Sequence, residues 1–290
     1  MGLSLLLAVV VAWPGEAASN RPAYFISANR MVYVYNDDFQ EITQFGANGH
    51  VRLAIGNDGT LYSSHPYKPL VLARTPPYQG TPLELKIKEQ GTGPLQVISV
   101  AVAPGTGLVA ISSESATHNG GPGGIAFFRK GETKQCNFVK GDMDELSFDS
   151  KGVLYYTAAG EETPSYYVGM IRGGCNATTP EPLGFPKQLL PLLLAVDAND
   201  NIAIQVLDFT SGNYRLFTYA HPTGKDYGPP ISQTEISNRC FLGAFQTKPS
   251  GLWEICARAQ EIPYPGGGPA IRTFGPKYPD SIVVYPPVHP

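Results

Sequence analysis

Short apolar runs broken by tight polar turns recur along the whole chain. The clearest example runs from Glu145 to Thr157, where two apolar arms (Leu146 and Phe148; Leu154, Tyr155 and Tyr156) flank Asp149-Ser-Lys-Gly152. Asp149 can accept hydrogen bonds from its own downstream backbone, and Gly152 can take a positive φ, so the segment predicts a β-hairpin. Counterparts of Gly152 stand at Gly59, Gly107, Asp200 and Gly251, and the five positions are separated by 48, 45, 48 and 51 residues.

A third apolar run follows each hairpin, at residues 70–73, 125–128, 167–171, 216–219 and 282–285, and 31–35 makes a sixth. Several units finish with a fourth run, as at 83–87. The units are 50–95, 96–142, 143–189, 190–237 and 238–290, preceded by one that lacks a first strand. Four strands per unit of forty to fifty residues predicts an all-β fold, a single six-bladed β-propeller of four-stranded blades. The ring would be closed by N- and C-terminal strands, with N-terminal residues completing the terminal blade. A β-sandwich or an open solenoid is the alternative, and the constant period argues against both.

Composition agrees with many short strands: of 290 residues, Gly supplies 32 and Pro 27, spread throughout the chain. A net charge of −3 with both signs scattered leaves no basic stripe, which argues against nucleic acid as a partner. Residues 3–13 form an apolar run too short to span a bilayer, followed by small residues suited to a signal peptidase. The expectation is a signal peptide over 1–18, a propeller domain over 19–290, no membrane span, and a secreted or periplasmic monomer.

Four cysteines allow two disulfides in three pairings. Cys240 and Cys256 flank the Gly251 hairpin, and Cys136 and Cys175 each follow the third strand of successive units. Those two pairs are expected, the alternative being free buried thiols. Asn176-Ala-Thr178 is an acceptor sequon, used if the organism is eukaryotic.

The links between second and third strands differ in every unit: 64–68, 113–123, 158–165, 207–213 and 258–280. Diverse loops on a rigid scaffold point to binding on that face. Glu161, Tyr264 and Arg272 are the candidate ligand-binding residues there, Tyr264 and an arginine forming a platform over the channel mouth. Glu114, His118, Asp144 and Glu145 are the candidates for acid–base work. No nucleophile elbow, zincin helix, Cys-x-x-Cys or phosphate loop is present, and Gly120 to Gly124 reads as a loop. Asp197 to Asn201 offers alternating oxygens, but Ile202 stands where a calcium loop needs Gly. Trp253 falls on a hairpin strand and is expected to pack between blades.

The hairpin at 147–156 together with runs such as 281–287 resembles the NHL and gluconolactonase-like six-bladed propellers, in particular their exported bacterial repeat proteins. The resemblance covers the chain after residue 18 and concerns fold and repeat. It implies, for the gluconolactonase branch, a divalent metal held at the channel mouth by Glu, Asn and Asp. The residues entering the first strands here are His50, Gln96, Asp144 with Glu145, Leu190 and Arg239, acidic at one position of five, so no metal ligands are carried over. The expectation is a binding or interaction protein without a cofactor, holding a protein, small molecule or carbohydrate on its long-loop face. The alternative is a gluconolactonase-like hydrolase using a divalent cation.

Overall fold

A computed structural model of the chain describes residues 21–47, 49, 51–65, 68–88, 95–115, 123–159, 166–222, 226–236, 240–247, 250–264 and 269–289. The signal peptide expected over 1–18 lies outside them. Blade one holds β1 (Tyr24–Ala28), β2 (Met31–Tyr35) and β3 (Glu41–Gly46). Blade two holds β4 (Leu53–Ile55), β5 (Leu61–Ser64), β6 (Leu70–Arg74) and β7 (Leu83–Lys86). Blade three holds β8 (Leu95–Val102), β9 (Val109–Ser115), β10 (Gly124–Phe128) and β11 (Gln135–Lys140). Blade four holds β12 (Met143–Phe148), β13 (Leu154–Ala159), β14 (Tyr166–Ile171) and β15 (Glu181–Leu183). Blade five holds β16 (Leu189–Val196), β17 (Ile202–Asp208), β18 (Asn213–Tyr219) and β19 (Ser232–Glu235). Blade six holds β20 (Phe241–Thr247), β21 (Ser250–Ile255), β22 (Ala259–Pro263) and β23 (Arg272–Phe274). The last strand, β24 (Ser281–Val284), returns to blade one as its innermost member, giving six four-stranded antiparallel sheets. The innermost strands touch one another in a closed ring, and the molecule is a six-bladed β-propeller.

N- and C-terminal strands close the ring, as expected, but the strand that crosses over is the C-terminal one. Residues 282–285 are not the third strand of the last unit: β24 pairs with β1, with Ile26 opposite Ile282 and Tyr24 opposite Val284. Blade six finds its third and fourth strands earlier, at β22 and β23, so N-terminal residues are not needed to complete it. Consequently 258–280 is not one loop. It contains two strands and three connections. Gly251 likewise lies inside β21, opposite Gln246, one step beyond the hairpin turn.

The other hairpins follow the expected chemistry. Asp149 Oδ1 accepts the backbone N–H groups of Lys151 at 2.9 Å and Val153 at 2.8 Å, and Gly152 has φ +78°. Asp197 repeats the arrangement with Asn199 and Asn201, and Asp200 takes the left-handed position at φ +61°. The Asp197 carboxylate is thus engaged on both oxygens, Oδ1 by its own turn and Oδ2 by the Asn201 amide and the Tyr264 hydroxyl.

Middle strands such as β1 and β10 are buried along their whole length, because each blade is covered on both faces by its neighbours. Six apolar clusters fill the gaps between blades. At the closure between blades six and one, Trp253 is fully buried and meets Tyr24 and Phe274 edge to face, at 5.4 and 5.1 Å between ring centroids. Edge-to-face pairs of this kind add about 1 kcal/mol each beyond area burial. Both expected disulfides form. Cys136–Cys175 ties the outer edge of blade three to blade four, and Cys240–Cys256 ties the mouths of β20 and β21. Asn176 is exposed beside the first of them, in a 3₁₀ turn over Gly174–Asn176.

Candidate functional site

The two faces of the ring differ. One carries the hairpin turns between first and second strands. The other, the funnel face, carries the entries to the innermost strands and the links between second and third strands. Four innermost strands bulge near that face, at Val97/Ser99, Met143/Leu146, Pro191/Leu193 and Leu242/Ala244. A bulge inserts an unpaired residue and re-aims its side chain. Here Ile98, Glu145 and Leu192 line a cavity of about 740 Å³ together with Val51, Val97, Leu193 and Phe241. Backbone groups released by the bulges find side-chain partners: Leu146 N–H donates to Ser99 Oγ at 3.3 Å and Glu145 N–H to Thr157 Oγ1 at 3.2 Å. Gln205, fully buried in the middle of blade five, accepts Leu242 N–H at 2.7 Å and donates to Cys240 O at 3.0 Å.

Polar groups sit at the funnel's base. Arg52 of blade two reaches past blade three to Glu145 of blade four, with Nη2 to Oε1 at 3.1 Å. The arginine side chain is 42% exposed and the glutamate 14%. Burial pushes the Glu145 carboxyl up, and Arg52 and a hydrogen bond from Ser99 pull it back. The same two residues, with Ser99 and Ser281, bound a smaller space of about 100 Å³ beneath the pair. Beyond it the channel becomes apolar, a compartment of about 190 Å³ between Leu53, Val100, Leu146, Val196 and Phe245. The C-terminal residues Pro287, Val288 and His289 line its far end, where His289 Nε2 lies 3.2 Å from Asp200 Oδ1. The channel is therefore layered: a wide funnel, a charged floor, an apolar chamber and a strap.

The sequence candidates divide between the two faces. Glu145 and Gln96 face the funnel, and Gln96 Nε2 donates to Glu114 Oε1 at 2.5 Å. Burial, with Asp142, Glu114 and Glu145 nearby, pushes the Asp144 carboxyl up to about 6. His118, Glu161, His50 and Arg239 lie outside the described residues. Tyr264 belongs to the opposite face: it follows β22, packs on Phe245 at 4.7 Å and donates to Asp197 Oδ2 at 2.9 Å. Arg272 pairs with the fully buried Glu261 and covers the Phe39 ring at 4.9 Å, as part of the closure between blades six and one. Neither reaches the funnel, because the loop assigned to them was in fact two strands. Arg52, Ile98, Leu192, Phe241 and Asp280 were missed. Arg52 and Phe241 were legible as residues entering the first strands of their units; Ile98 and Leu192 depend on bulges and Asp280 on the returning strand.

The described carboxylates on the funnel face do not make a metal cradle. Glu145 is held by Arg52 and Glu114 by Gln96. Among the described residues, the one group of three donor atoms close enough for an ion is Cys240, Glu254 and Cys256, and its two sulfurs are joined in a disulfide. Such sulfurs carry no thiolate charge to ligate a cation. Among the described residues, no set of carboxylates fits the divalent metal that the resemblance implies.

No protein-family profile and no curated protein matches the chain. Solved structures do match. A Bacteroides caccae protein of unknown function aligns over 90% of this chain and 97% of its own, with TM-score 0.58 and 11% identity. A gluconolactonase from Xanthomonas campestris aligns over 83% and 77%, with TM-score 0.55 and 14% identity. A calcium-binding regucalcin from Agrobacterium tumefaciens aligns over 78% and 74%, with TM-score 0.56 and 13% identity. The likeness is one of fold. At such identities it places this propeller beside gluconolactonase and regucalcin architectures and carries no activity across.

Proposed function

We propose that this propeller is an exported binding protein that takes a small molecule of largely apolar body into the funnel. The observation that carries the reading is the funnel itself: about 740 Å³, walled by Val51, Val97, Ile98, Leu192, Leu193 and Phe241, with Ser64, Gln96, Tyr214 and Asp280 between them and the Arg52–Glu145 ion pair at its base. Apolar walls with a few polar groups at one end are the usual make-up of a small-molecule site. The rim supports the same reading. Phe209, Phe241 and Tyr278, exposed by 50, 48 and 73%, all lie on the funnel face. Export is supported by two disulfides, which persist in oxidising compartments, and by the apolar run at residues 3–13.

The test is titration with Nile red, an uncharged apolar dye. Saturable blue-shifted fluorescence is expected from the native protein and its loss from Ile98→Arg, which puts a charge into the wall. Fluorescence unchanged by Ile98→Arg would remove the funnel from consideration. A metal-dependent hydrolase is the competing reading, with the raised Asp144 carboxyl in its favour. Elemental analysis of protein purified without chelator separates the two: a stoichiometric divalent ion would restore the hydrolase.

A further inference from the structure

We propose that the Arg52–Glu145 pair at the funnel floor selects ligands by the charge of their head group, admitting an uncharged head that both donates and accepts hydrogen bonds, of the carboxamide class. This deepens the binding reading above and rests on it. The pair is set at the base of the cavity and spans from blade two to blade four, so anything seated in the funnel meets both partners. Glu145 is mostly withdrawn from water, and apolar residues surround the floor, including Leu193, Leu242, Ile255 and Val283.

Charge matching in that setting favours neutrality. A carboxylate could gain Arg52 only by loosening its hold on Glu145, and it would bring a second anion against that glutamate. An ammonium group could gain Glu145 only by loosening it from Arg52. The first exchange leaves the mostly buried Glu145 carboxylate without its partner, and the second sets an ammonium beside the Arg52 cation with one carboxylate between them; in each case the loss outweighs the new contact. A carboxamide avoids the exchange. Its N–H can donate to a free lone pair of Glu145, which offers two acceptor oxygens, while its C=O accepts from one of the remaining guanidinium donors of Arg52. The ion pair stays intact, and the apolar body of the ligand rests on Ile98, Leu192 and Phe241. Among the described residues the other charged group lining the funnel is Asp280; Glu114 is bonded to Gln96 of the funnel wall, and Asp144 precedes Glu145 in the chain and feels the charge of both glutamates. These carboxylates further disfavour an anionic head.

Three probes with one apolar body test this: 4-phenylbutanamide, 4-phenylbutanoate and 4-phenylbutylamine, measured at pH 7 by ligand-observed NMR titration on the full chain. The amide is expected to bind at least tenfold more tightly than either charged analogue. Glu145→Gln, which leaves Arg52 unopposed, is expected to make the carboxylate the tightest of the three. Arg52→Met is expected to make the amine the tightest. A charged probe binding native protein as well as the amide would overturn the inference, as would a ranking unmoved by Glu145→Gln. The wild-type series stands without the variants, so a variant that fails to fold leaves the test intact. Nile red binding that is lost with Ile98→Arg, combined with no amide preference, overturns the head-group inference alone. Absence of binding by the dye and by all three probes overturns the funnel reading and this inference together.

Discussion

Asp144 is the residue whose surroundings disagree most with its charge. Burial comes first among the causes, followed by Asp142, Glu114 and Glu145, and the carboxyl is pushed from 3.8 to about 6. A raised carboxyl pKa means that the protonated form is the one the fold favours. The stability it contributes is complete below about pH 4 and is lost as pH rises through about 6. Asp144→Asn keeps a neutral group at every pH, so its stability relative to native protein should grow between pH 4 and 7, by about 2 kcal/mol. Urea unfolding at pH 4, 5, 6 and 7 checks this, and a difference independent of pH would contradict it. Glu145 differs in kind, since Arg52 already opposes its burial. Removing Arg52 leaves a buried carboxylate unpaired, and Arg52→Met should destabilise the native protein at pH 7 by about 2 kcal/mol, less than a fully buried pair would lose because the arginine is partly solvated. Combining it with Glu145→Gln should recover most of that loss in the same denaturation assay.

At the scale of the element, the Asp-turn hairpin is the repeated part. Asp149 is fully buried, caps two backbone N–H groups through Oδ1 and meets His221 Nε2 through Oδ2 at 3.1 Å. Asp149→Ala should therefore cost about 2 kcal/mol, by leaving those donors without an acceptor. For a domain of this size that is a fall in Tm of about 3 to 4 °C, measurable by calorimetry. The disulfides act on elements as well. Cys136–Cys175 closes 39 residues of sequence, and its double replacement by Ser should lower stability by about 3 kcal/mol, seen as a lower urea midpoint with a steeper slope, because the unbridged unfolded chain exposes more surface. An unchanged slope would mean that the bridge acts on the native state instead. The inner-strand bulges are the elements that matter for binding. They turn one residue per strand into the channel and hand the displaced backbone to Ser99, Thr157 and Gln205.

For the whole molecule, closure of the ring is the decisive event. Blade one has no innermost strand until β24 arrives from the other end of the chain. Ile282 is buried at that junction among Ile26, Trp253 and Ile255. Ile282→Asp should place an unpaired charge in the closure and cost more than about 4 kcal/mol, enough to leave little folded protein. Small-angle scattering should then show an expanded chain, whereas a compact ring would show that closure does not depend on this strand. Closure also places the strap: residues 287–289 cross the hairpin face beneath the channel, and the funnel is left as the wide approach to the charged floor.

Much of this architecture was legible in the chain because its signals are local. A turn such as Asp149 to Gly152 is written in four adjacent residues, its recurrence counts the blades, and the cysteines flanking a hairpin or following successive third strands fall beside each other once strands pair. Three matters were decided only in three dimensions. The strand 281–284 has the same apolar run whether it stands third in blade six or innermost in blade one, and only the unfilled edge of β1 chooses between them. Tyr264 and Arg272 went to the hairpin face and the closure, since two short strands hid inside an apparent loop. The funnel lining depends on bulges, which shift a strand's facing by one residue without altering its composition. The local alternation of apolar and polar residues therefore specified strands, turns and blade number, while long-range pairing decided which side chains meet at the channel.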